Sequence, residues 1–252
     1  MLFFVGHIFP YAALVVFVMG MTWRTAGWLR RPVPFPLALD PFPAGAATRV
    51  AVLAKELLLF SSLLKGDRRL WLLAGLMHAS LAAIVLGHVV GISSLGQQFT
   101  ILGASPESST AMSKTLGVLV GLLFVASVFA LLRRRRTVSE VRRLSAAADY
   151  FDLTLLLAIA ATGLLMRLAP VDFDLAAVRA YIGSVLVLRP TDIPDQSLFI
   201  VHFVLVGVLL VYFPFSKLVH VTGGVVSRAL IGPPARTQRL RRASLNAGEA
   251  AR

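Results

Sequence analysis

An all-α bundle of five transmembrane helices is the fold this sequence predicts, and three observations predict it. Five apolar stretches each reach the ~20 residues a helix needs to cross a ~30 Å hydrocarbon core. Composition agrees: 57% of the 252 residues are hydrophobic, only 15% are charged, and the mean hydropathy is +0.80, outside the range of ordinary soluble domains. Basic residues also sort to alternate connections, as they do in polytopic membrane proteins.

The first span covers about 2–23. No positive segment precedes it and no A-x-A-like site follows it, so it reads as a retained helix rather than a cleaved signal. Connection one opens with Arg31-Pro32-Val33-Pro34-Phe35-Pro36, extended because each proline disfavours helix at the residue before it. Residues 45–64 then set Arg49, Lys55 and Glu56 among Val, Leu and Phe, the pattern of an amphipathic helix lying at the interface as a docking surface for a soluble subunit.

Spans two to five cover about 70–92, 116–132, 150–168 and 198–215. Arg133, Arg134, Arg135 and Arg136 close the third and read chiefly as a stop-transfer and headgroup anchor. The connections 93–113 and 169–197 are long loops, the second with an apolar run near Leu175 to Leu188 that suits a short helix along the membrane. A membrane domain thus occupies 1–232, and 233–252, rich in Arg, Ala and Gly, is expected to be a basic mobile tail.

The net charge of +13 would suggest nucleic acid in a soluble protein, but topology accounts for it here. Eight basic residues fall in connection one, six in connection three and seven after Phe215, leaving Lys114, Arg167, Arg179 and Arg189 for the opposite side. The positive-inside rule then puts the N-terminus outside and the C-terminus in the cytoplasm of a bacterial or archaeal cytoplasmic membrane. With no cysteine in the chain, disulfides, thiolate-held iron–sulfur clusters and C-x-x-C-H haem attachment are excluded.

Four of the five histidines fall on two predicted helices: His78 and His88 on the second, His202 and His220 on the fifth. An imidazole inside hydrocarbon needs an interior partner, and neutral imidazole is a standard axial ligand to haem iron. Antiparallel geometry pairs His88 with His202 around an outer haem b and His78 with His220 around an inner one. The 18 residues from His202 to His220 make five turns and put both on one face of the fifth helix, though they rise ~27 Å against ~15 Å for His78 to His88. Tilt and a kink at Pro214 are expected to absorb that mismatch. Ala74, Gly75, Ala79, Ser80, Ala82, Ala83 and Gly87 keep the second helix narrow for a flat macrocycle. His7 has no sequence partner and reads as a surface or structural residue.

These spacings, with Gly87-His88 and Phe213-Pro214-Phe215-Ser216-Lys217-Leu218-Val219-His220, resemble the gamma (cytochrome b) subunit family of respiratory nitrate reductase and its F-P-F-S-[KR]-L-x-H signature. The basic exit from helix three and the Asp149 and Asp152 start of helix four extend the resemblance over all five spans. Connection one, with Lys55-Glu56-Leu57-Leu58-Leu59-Phe60, is similar instead to the membrane cytochrome of dissimilatory sulfite reductase and heterodisulfide-reductase-type complexes.

The resemblance implies a di-haem cytochrome that carries electrons between membrane quinone or quinol and a cytoplasmic iron–sulfur subunit of a respiratory oxidoreductase with further catalytic subunits. It also implies a quinone site beside the outer haem at Gly87, His88 and Lys114. Two other readings are a proton-coupled transporter with a histidine relay, whose expected repeat symmetry the sequence lacks, and a haem-free membrane anchor.

Overall fold

The computed structural model describes residues 1–30, 45–168 and 173–229, and it is all-helical among them. The helices are α1 (Phe9–Arg30), α2 (Ala46–Leu59), α3 (Ser61–Gly66), α4 (Arg68–Ser94), α5 (Pro106–Thr137), α6 (Ser139–Leu144), α7 (Ala147–Leu168), α8 (Leu175–Leu186), α9 (Ser197–Tyr212) and α10 (His220–Ala229). A π-helical turn at Phe4–Ile8 leads into α1. Five segments are long and apolar enough to span a membrane: Phe4–Arg30, Arg68–Ser94, Pro106–Thr137, Ala147–Leu168 and Ser197–Phe215. The chain is a multi-pass membrane protein, and each predicted span has its counterpart. The proline segment 31–36 and the tail 233–252 lie outside the described residues.

Local chemistry sets the helix ends. Asp67 caps α4 by accepting the Leu70 N–H at 2.9 Å, and Leu95 ends it in the left-handed region at φ 53°. Ser105 caps α5, with Pro106 in its first turn, where the missing N–H of proline costs nothing. Capping starts α5 well before the predicted 116, so much of the supposed loop 93–113 is helix. Ser109, fully buried, clips the remaining turn by donating to Gly96 O and accepting from the Phe99 N–H, both at 3.0 Å.

Residues 45–64 are helical, but as two helices rather than one. Phe60 sits at φ 48° between α2 and α3, a conformation costly for a bulky residue. The Glu56 carboxylate holds the corner by accepting from the Ser61 and Ser62 hydroxyls and the Ser62 N–H.

Around the bundle, α4 packs on α5, α5 on α7, α7 on α9 and α9 on α1. Helix α1 runs parallel to α9 and the chain that follows it, with Phe9 against Gly207, Gly20 against Pro214 and Trp28 against Gly223. One apolar cluster, around Val5, Val178, Tyr181, Ile193 and Phe199, fills the end holding residue 1 and α8. We call this end the N-face. A second, around Phe124, Val128, Leu132, Leu153 and Leu156, lies toward the opposite end, the C-face, which carries α2, α3 and α6. Leu14, Val18, Met19, Leu86, Leu119 and Phe129 point outward as a membrane-facing surface.

Two of the four arginines after the third span are more than lipid anchors. Arg134 pairs with Asp67 at 2.8 Å, tying α5 to α4, and Arg135 reaches the buried Asp149 of α7 at 3.7 Å.

The fifth span is not one helix through to His220. It ends as α9 at Tyr212, passes through a 3₁₀ turn at Phe213–Phe215, an extended Ser216 (φ −95°, ψ 177°) and a second 3₁₀ turn at Lys217–Val219, and restarts as α10 with His220 as its first residue. The kink expected at Pro214 is thus a full break, and the expectation that His202 and His220 share one face of the fifth helix is corrected. Proline cannot donate to the helical ladder. Its own carbonyl accepts from Arg24 Nη1 of α1 at 2.8 Å, and Ser216 caps the next turn through the Leu218 N–H at 3.0 Å.

Candidate functional site

Each pair of opposed histidines meets across the bundle, and each contains one residue of α4. At the N-face end the His88 and His202 rings stand 6.2 Å apart, centroid to centroid, with planes 4° from parallel. At the C-face end His78 and His220 stand 5.8 Å apart with planes at 89°. The ten helical residues from His202 to Tyr212 rise ~15 Å, matching His78 to His88. The break then lets the last eight residues swing the chain toward His78 instead of descending further.

In all four rings Nδ1 faces a backbone carbonyl: His78 to Ala74 O at 2.8 Å, His88 to Ile84 O at 2.7 Å, His202 to Ile159 O at 3.1 Å and His220 to Lys217 O at 3.0 Å. A carbonyl only accepts, so each network assigns the proton to Nδ1 and leaves the Nε2 lone pair free. For His202 the Thr162 hydroxyl lies 2.9 Å from the same nitrogen. Such second contacts fix ring orientation and raise the basicity of a metal ligand.

These features fit the group the sequence implies. A metal bound ~2 Å from each of two opposed imidazole nitrogens sets ring centres about 6 Å apart, as in both pairs. Among the described residues no cluster of three or more His, Asp or Glu exists to hold a bare ion. A two-histidine site suits an iron whose other ligands come from a macrocycle. A Cβ on Gly75 or Gly87 would meet no described atom within 4 Å, so the α4 surface beside the histidines is flat and accessible.

The C-face pair is positioned by a polar frame. Buried Asp149 accepts from Lys217 Nζ at 2.8 Å, fixing the break three residues before His220, and Phe60 packs on the His78 ring at 5.1 Å. The strained corner between α2 and α3 thus delivers an aromatic ring to this pair. Asp152, one turn along α7, is buried, and its Oδ1 has no hydrogen-bond partner among the described residues.

Of the other expected residues, Gly87 adjoins His88 on the exposed side of α4, and Lys114 lies exposed on α5, nine residues into that helix. No hydrogen bond or ion pair joins Lys114 to Gly87 or His88. His7 takes the structural one of its two expected roles: its ring is partly buried and stacked on Phe3, and its Nε2 is 3.9 Å from the exposed Asp192. Arg167, grouped in the sequence only by its side of the membrane, projects into the N-face end, where its Nη1 donates to Ser113 O at 3.4 Å. A lone cation in the last turn of an apolar span is the sequence signal for it.

The fold and the facing rings define a five-span membrane protein with two facing histidine pairs, one toward each end of the bundle. The chain belongs to the nitrate reductase gamma subunit family, whose model matches residues 33–230. It is 31% identical to the Hdr-like menaquinol oxidoreductase cytochrome b-like subunit of Archaeoglobus fulgidus, over 87% of this chain and 76% of that protein. The subunit of the same name from Archaeoglobus profundus is 25% identical over the same shares. The nitrate reductase gamma chain of Bacillus subtilis is 28% identical over 58% of this chain and 69% of its own length. The relatives are subunits of oxidoreductases, and the role of this chain is redox-related.

Proposed function

We propose that this chain is the di-haem b-type cytochrome subunit of a membrane oxidoreductase complex, carrying electrons between a quinol and an iron–sulfur partner subunit. The single observation that carries the reading is the pair of facing imidazole couples, every Nδ1 tied to a carbonyl and every Nε2 free. The names of the archaeal relatives make menaquinol the first substrate to test. Their 87% coverage of this chain also favours the Hdr-like branch over nitrate reductase itself.

His88 and His202 hold one centre and His78 and His220 the other. When bound, each haem supplies a one-electron carrier. The carbonyls of Ala74, Ile84, Ile159 and Lys217 keep the ligand nitrogens deprotonated and aimed. Gly87 leaves room for a quinone ring beside the N-face centre, and Lys114 supplies a cation near that level to polarise a quinone oxygen. With the N-terminus outside, the N-face is the outer side, and protons from quinol oxidation are released there. The C-face then meets the cytoplasm of a bacterial or archaeal inner membrane, where α2, α3 and the basic residues of connections one and three receive the partner.

The test is a reduced-minus-oxidised spectrum of the purified full chain with haem extraction. Two b haems per chain are expected, with reduction on adding a menaquinol analogue. A chain purified without a b-type band overturns the reading.

A further inference from the structure

The mostly apolar helix α7 carries a cation that faces inward. Phe151, Thr154, Ala161, Leu165 and Leu168 are exposed and fall on one stripe of the helix. Arg167 lies on the opposite side, on the stripe that contains Leu156 and Gly163. Its guanidinium lies across α5 at Gly117, where an added Cβ would sit 2.7 Å from its Cζ. It therefore does not extend outward to a lipid headgroup, the usual escape for an arginine near a helix end.

Among the described residues no carboxylate pairs with it, and the bond to Ser113 O, at 3.4 Å, is long. A guanidinium turned into a membrane bundle needs an anion. The neighbouring stripe says where that anion belongs. Gly163, one helical turn before Arg167, faces the His202 ring, with Cε1 3.4 Å from the position of an added Cβ. The four residues between them rise ~6 Å, so Arg167 stands beside the N-face histidine pair on the side nearer the N-face surface.

We propose that Arg167, steered by Gly117, binds a carboxylate of the porphyrin held by His88 and His202 and raises the reduction potential of that centre alone. The proposal rests on the di-haem reading. A planar fork of donors matches a carboxylate with two parallel hydrogen bonds, and a fixed positive charge nearby favours the reduced iron over the more positive oxidised one.

The experiment is a redox titration of the full chain in membranes, with the two centres told apart by the His88→Ala and His78→Ala variants. Arg167→Gln is expected to retain both haems and to shift the N-face potential negative, leaving the C-face potential in place, while Arg167→Lys recovers most of the shift. Should Arg167→Gln not accumulate, Gly117→Ala takes its place: it keeps the charge but displaces the guanidinium, and a smaller negative shift at the same centre is expected.

Unchanged potentials in a variant with both haems overturn the proposal, as does a shift confined to the C-face centre. Unchanged potentials with a raised KM for quinol overturn it too and assign the guanidinium to quinone oxygen instead. A wild-type chain without b haem overturns the parent reading, which is a separate result.

Discussion

The two histidine pairs reach nearly the same ring separation by different means. His88 and His202 stand on unbroken helices, and their planes are parallel within 4°. His78 meets a residue that has left the helix, and those planes cross at 89°. The N-face pair needs only that α4 and α9 run antiparallel through the bundle. The C-face pair needs the break, and the break needs partners from elsewhere: Arg24 of α1 on Pro214 O and Asp149 of α7 on Lys217. One centre is thus a property of two helices, the other of the whole C-face.

The largest effect should come from the ligands themselves. His88→Ala or His202→Ala is expected to remove one b haem per chain, the same one in both variants, and quinol oxidation with it. His78→Ala or His220→Ala should remove the other and leave the first reducible but unable to pass electrons on. Haem extraction and redox titration of the four variants check this. Loss of the same haem from His88→Ala and His220→Ala would break the pairing.

The contrast also marks how far local sequence reaches. Spans are legible because ~20 consecutive apolar residues, in a chain so poor in charge, find their stable place in hydrocarbon. The pairing is legible because antiparallel order leaves only one level assignment. The phase argument from His202 to His220 fails because it assumes a ladder that Pro214 interrupts. Beyond the proline the path of the chain is set by Arg24 and Asp149, 190 and 68 residues away from the groups they hold, so no local pattern carries it. The early start of α5 escapes for the opposite reason: Pro106 to Ser113 is polar, and its signal is the Ser105 cap rather than hydropathy. Arg167 is legible as a cation inside a span, but only its packing on Gly117 shows that it points inward.

If the break is held from outside, weakening its supports should separate the two centres. Asp149→Asn removes the charge that holds Lys217, and Arg24→Gln removes the donor on Pro214 O. Each is expected to cost about 1.5–3 kcal/mol, the scale of one hydrogen bond to a charged group, and to lower the occupancy of the C-face haem while sparing the N-face haem. Equal loss of both haems would show that the break is not the separate unit this comparison makes it.

The smallest expected effect concerns the junction that carries α4 itself. Asp67 accepts the Leu70 N–H at the start of that helix and pairs with Arg134 of α5 at 2.8 Å. The backbone hydrogen bond first, and the guanidinium after it, hold its carboxyl below the ordinary value of 3.8. A carboxyl lowered by folding stabilises the folded state fully above its unfolded value and loses that contribution as pH falls through the folded one. Wild-type melting temperature should therefore drop on acidification through that range more steeply than that of Asp67→Asn, which keeps a capping side chain but has no charge to titrate. Since α4 supplies one histidine to each pair, the proposed di-haem reading has this loosening touch both haems alike, the reverse of the Asp149 result. Parallel acid limbs in the two proteins would place the stability of α4 in its packing on α5 rather than in this cap.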